Sequence, residues 1–68
     1  MTADEIKEAR QKLGLSAPQL AALLDTDPQT IRRMEQSEAA KTFRRPSPRM
    51  VRLLRSYLDG YRPSDWPA

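Results

Sequence analysis

The chain has 68 residues, no cysteine and no histidine, a formal net charge of +3 and a pI near 9.8. That length holds one domain near the lower limit for a self-sufficient core. The missing Cys and His exclude disulfides and the usual zinc sites, which leaves oligomerisation as the stabilising device. No apolar run reaches the length of a membrane span or a signal-peptide core. A soluble, cytoplasmic protein with no membrane partner is therefore expected, and the lack of cysteine suits a reducing cytosol.

Thr2 reads as an N-cap with Glu5 three residues on, as in a capping box. Ile6, Ala9 and Leu13 then recur at helical spacing and Gly14 ends the segment, so a first helix is expected over residues 3–13. Ser16 opens a second helix, again with Gln19 at the capping-box position and Pro18 in the first turn. Leu20, Ala21, Leu23 and Leu24 supply its apolar stripe, and it closes near residues 24–25. Asp27 caps a third helix that begins at Pro28 and is expected to run to Gln36, with Ile31 and Met34 facing inward.

Residues 37–46 show no clean period and read as a loop, with a short helical turn over 38–41 as an option. Ser47 and Pro48 form another cap and first-turn pair. The last helix is expected over 48–59, with Gly60 as its stop. Met50, Val51, Leu53, Leu54, Tyr57 and Leu58 fall within an arc of roughly 160° on its wheel. The tail, residues 61–68, holds two prolines. Trp66 is too large an apolar group to leave in water, so the tail is expected to pack on the body or on a second subunit. The fold class is all-α, with four to five short helices in a single domain over residues 1–60.

Charge is unevenly placed. Residues 1–31 carry three bases and five acids, whereas residues 32–68 carry nine bases and four acids. From Lys41 to Arg55 there are six bases and no acid. A solvated face is the bland explanation of such a run; one side turned toward a polyphosphate is the functional one.

Two short helices joined by about three residues, the second exposing polar side chains, make a helix-turn-helix, here over about 16–36. The run Leu15-Ser16-Ala17-Pro18-Gln19-Leu20-Ala21 through Asp27-Pro28-Gln29-Thr30-Ile31 to Glu35 resembles the Cro/CI-type (XRE-like) helix-turn-helix regulators. Small prophage repressors and regulators encoded beside anti-CRISPR genes are similar. The resemblance starts at Arg10 and Leu13-Gly14 and runs through Glu35, somewhat more than a third of the chain, and implies a lambda-repressor-like fold. Three positions depart from the family pattern. Asp25 stands at the turn where Gly is usual, Ala17 where a phosphate-binding Gln is common, and Met34 where a Trp or large aliphatic residue often sits.

With Ile31 inward, Gln29, Arg32, Arg33 and Gln36 cluster within about 100° on the opposite side of the third helix. Arg can grip guanine O6 and N7, and Gln can grip adenine N6 and N7, so these four are the expected base-reading residues. Cations and hydroxyls suit phosphate and position a domain without reading sequence. The expected phosphate-binding set is Ser16, Gln19, Thr30, Lys41, Thr42, Arg44 and Arg45, with Ser47 and Arg49 close behind. The resemblance implies that the loop follows the DNA backbone. It also implies that Arg10 pairs with Glu35 as a structural tether between helices one and three. Phe43, inside the basic run, reads as a core anchor for the loop rather than a base-stacking group.

The partner expected from these features is double-stranded DNA bearing an inverted repeat. A homodimer would meet through Val51, Leu54, Leu58, Tyr61 and Trp66, and repress a promoter, its own among the candidates. The alternatives are an antitoxin or a protein-binding adaptor on the same scaffold. No cofactor, metal or small-molecule substrate is expected. An enzyme is disfavoured because there is no His, no Cys, no glycine-rich phosphate loop and no convincing carboxylate pair.

Overall fold

A computed structural model describes residues 1–67 of the chain. Its four helices are α1 (Ala3–Lys12), α2 (Ala17–Leu23), α3 (Pro28–Met34) and α4 (Pro48–Leu58), and no strand occurs among the described residues. Each helix starts at a short polar side chain that accepts an amide three residues on. Thr2 takes Glu5 N–H at 3.2 Å, Ser16 takes Gln19 at 3.3 Å, Asp27 takes Thr30 at 2.7 Å and Ser47 takes Met50 at 3.2 Å. Glu5 and Gln19 accept the cap amides in return at 2.8 and 2.9 Å, which closes two capping boxes. These bonds satisfy amides that the helix itself leaves orphaned.

Three helices end by a common device. The Leu15 amide reaches the Arg10 carbonyl at 3.2 Å, Thr26 reaches Ala21 at 2.9 Å, and Tyr61 reaches Ser56 at 3.0 Å. In each case the residue just before the donor is left-handed: Gly14 (φ +69°), Asp25 (φ +56°) and Gly60 (φ +108°). Glycine has no Cβ to oppose this conformation, and aspartate tolerates it better than most other residues.

Two boundaries differ from expectation. Helix α3 stops at Met34, with Glu35 as its cap, two residues short of Gln36. The segment 37–46 holds turns rather than a fifth helix, closed by bonds from the Ala40 amide to Ser37 (2.9 Å) and from the Phe43 amide to Ala40 (3.1 Å).

The core gathers Ile6 and Ala9 from α1, Leu15, Leu20, Ala21 and Leu24 from α2 and its flanks, Ile31 and Met34 from α3, and Leu54 and Tyr57 from α4. Helices α2 and α3 form the closest pair, and α4 lies beside α1. Ala21 is buried where a larger side chain would overfill the interior. No polar or charged residue is fully buried among the described residues.

Two sequence expectations need correction here. Leu54, expected at a dimer interface, is 0% exposed and has no surface left to offer a second subunit. The tail packs on its own body, one of the two places expected for it, and Trp66 there is half-buried. Trp66 meets Tyr57 edge to face at 5.2 Å, and the Arg62 guanidinium lies 4.2 Å from its ring centroid. Phe43 is half-buried and lies outside the core cluster, with the Arg45 guanidinium 5.7 Å from its ring centroid. Of the tail, Ala68 falls outside the described residues.

Candidate nucleic-acid interface

The site is built on α3. Its first turn is fixed by Asp27, whose carboxylate accepts both the Thr30 amide (2.7 Å) and the Thr30 hydroxyl (3.1 Å). These bonds, the amide first, hold the Asp27 carboxyl below its usual 3.8. It therefore stays ionised at the positive end of the helix, where a negative charge is favoured. Thr30 spends its hydroxyl proton on Asp27, so in this rotamer it has no donor left for a phosphate.

The four expected base-reading residues separate into two groups. Gln29 and Arg32 are exposed. Arg33 is half-buried, and its Nε is enclosed without a hydrogen-bond partner. Gln36 is half-buried past the end of the helix, and its side-chain carbonyl accepts the Thr42 hydroxyl at 2.6 Å. The helical wheel extended a regular helix through Gln36, whereas the chain leaves that wheel after Met34.

The expected phosphate set also divides. Lys41, Arg44 and Arg45 are exposed and have no acidic partner, since the one ion pair among the described residues is Arg10–Glu35. Arg44, Arg45 and Ser47 line one cleft with Thr26, Asp27 and Thr30, which brings the basic loop to the turn before α3. Ser16 and Gln19 serve the capping box of α2 through their acceptor oxygens, which leaves the Ser16 O–H and the Gln19 NH2 as donors. Thr42 donates its hydroxyl to the Gln36 carbonyl. Its six-residue separation from Gln36, across an aperiodic loop, left no signal in the sequence.

Behind α3, the Arg10 guanidinium engages Glu35 twice, Nε to Oε2 at 2.7 Å and Nη2 to Oε1 at 2.9 Å. Nη1 donates to the Leu15 carbonyl at 3.1 Å. The side chains are 19% and 11% exposed, and the hydrogen bond to Glu35 raises the Arg10 pKa above its usual value. The pair joins α1, the entry to α2 and the end of α3.

Two short helices packed through Ala21, joined by a left-handed turn at Asp25, with the second presenting Gln29 and Arg32 outward, define a helix-turn-helix domain. The family model for Helix-turn-helix matches residues 6–66, nearly the whole chain, and the chain belongs to that family of XRE-like, lambda-repressor-like DNA-binding transcription regulators. No curated protein and no solved structure matches it. The family is a regulatory one, not a family of enzymes. Among the described residues no group of three or more carboxylates, His or Cys could hold a metal ion, and no helix is long and apolar enough to cross a membrane.

Proposed function

We propose that this protein is a homodimeric repressor that binds an inverted-repeat operator in double-stranded DNA, its own promoter being the natural first candidate. The observation that carries the reading is the pairing of an exposed Gln29 and Arg32 on α3 with the cations Lys41, Arg44 and Arg45 of the following loop, none of which is in an ion pair among the described residues. Gln29 and Arg32 read base edges, and Arg33 supports them from its half-buried position. The loop cations grip phosphates, with Ser16 and Gln19 adding donors at the start of α2. A small protein of this kind represses by occupying a promoter, and the prophage and anti-CRISPR-associated regulators it resembles are the model for that role.

One recognition helix spans only a few base pairs, so two copies related by a twofold axis give a longer, specific site. Leu58 (41% exposed) and Tyr61 (57% exposed) are the large apolar side chains left on the surface, and with the half-buried Val51 they favour the end of α4 as the dimer contact.

Salt dependence of duplex binding tests this reading. Affinity should fall steeply with salt, and Arg44→Ala with Arg45→Ala should reduce the slope by up to about two, roughly 0.9 per lost phosphate contact. Binding that ignores salt would point instead to an apolar protein partner, as an adaptor or antitoxin would have.

A further inference from the structure

Gln36 lies just beyond the Glu35 cap of the recognition helix, and its side-chain carbonyl holds the Thr42 hydroxyl at 2.6 Å. Two residues after Thr42, the Arg44 amide donates to the Arg33 carbonyl at 3.2 Å. The Gln36–Thr42 bond thus closes segment 36–44 on itself, while the Gln36 amide (3.4 Å) and the Arg44 amide both reach the Arg33 carbonyl in the last turn of α3. Internal bonds from Ala40 to Ser37 and from Phe43 to Ala40 shape it in between. It carries Lys41 and Arg44, with Arg45 next in the chain.

A glutamine that reads adenine needs its carbonyl and its NH2 together. In Gln36 the carbonyl already accepts from Thr42, which turns the amide toward the loop. A loop that must be ordered on binding loses affinity to that ordering, whereas a loop ordered beforehand does not. We propose that Gln36 and Thr42 form a clip holding the basic loop against the recognition helix, so that the loop cations meet the phosphate backbone in register with the base contacts of α3. Gln36 is then a positioning residue and not a base reader. This inference rests on the DNA-binding reading above.

The test uses full-length protein and two duplexes: one that the wild-type protein enriches from a random library, and a scrambled version of it. Gln36→Ala and Thr42→Val should each weaken binding to both duplexes by the same factor, roughly threefold to tenfold, the range of one hydrogen bond. Preference between the duplexes should not change. The double variant should bind no worse than either single variant, because both remove one interaction. The salt slope should become shallower by about one, a shift that a purely structural role would not produce. Thr42→Ser, which keeps the hydroxyl, should restore the wild-type slope. Loss of preference in Gln36→Ala alone would make Gln36 a base reader and overturn the clip. So would independent, multiplying effects of the two substitutions. A wild-type protein that enriches no duplex would overturn the function itself, and the clip with it.

Discussion

Arg10, near the end of the first helix, grips Glu35, the residue that caps the recognition helix, through two side-by-side hydrogen bonds of 2.7 and 2.9 Å. The bidentate geometry matches the planar guanidinium fork to the carboxylate and fixes direction as well as distance. The pair therefore sets where α3 ends relative to α1. Removing one partner strands the other in a mostly enclosed site. Glu35→Ala should lower the unfolding free energy by about 2 kcal/mol, the scale of a charged hydrogen bond left unmade. Replacing both, as Arg10→Met with Glu35→Leu, should recover most of that loss. Urea denaturation of the three variants measures it, and a double variant as weak as Glu35→Ala would contradict the argument.

Arg32 and Arg33 are adjacent in sequence but have different surroundings. Arg32 is exposed, while Arg33 is half-buried with its Nε enclosed. Arg32→Ala should leave the melting temperature within a few degrees while costing about 1–3 kcal/mol of discrimination at one base pair. Arg33→Ala should lower stability as well as affinity, because its half-buried stem packs against the body and is lost with the substitution. Thermal melts combined with competition binding separate the two, and equal stability of both variants would contradict the assignment.

Much of this fold was legible in the sequence because its decisive interactions are local. Thr2, Ser16, Asp27 and Ser47 cap at a fixed spacing of three, and Gly14, Asp25 and Gly60 mark stops by backbone conformation alone. What escaped depends on which distant segment covers which face. The wheel of α4 showed a wide apolar arc, but only the returning tail and the neighbouring helices decide that Leu54 is interior and Leu58 is not. The Gln36–Thr42 bond likewise follows from α3 ending at Met34, a boundary that periodicity reads only to within a few residues.

Acid should loosen the helix starts. The Asp27 and Glu5 carboxyls are held below their usual 3.8 and 4.5, each first by a backbone hydrogen bond, with Thr30 and Thr2 respectively. A folded pKa below the unfolded one adds stability that is fully present above the unfolded value and is lost as pH falls through the folded one. The melting temperature should therefore hold down to about pH 4.5, begin to decline below it as Glu5 protonates, and decline further once the pH drops below 3.8. Asp27→Asn keeps a capping oxygen without the charge, so part of this acid sensitivity should disappear. Circular dichroism melts across the acid range check it, and identical profiles for the two proteins would refute the role given to Asp27.

At the end of α4, Leu58→Ser combined with Tyr61→Ser should shift the protein toward the monomer mass in sedimentation while leaving it folded, since both side chains are exposed. Leu54→Ala should instead cost about 2–5 kcal/mol of stability, the range for emptying a buried leucine site. If the double serine variant retains the dimer mass, the contact lies elsewhere.

Selection of bound duplexes from random double-stranded DNA tests the central claim most directly. The wild-type protein should enrich an inverted repeat whose half-site centres lie about one helical turn apart, and Gln29→Ala should erase the preference at one position in each half. An enriched pool without any common sequence, or one that Gln29→Ala leaves unchanged, would contradict the claim that the exposed face of α3 reads DNA.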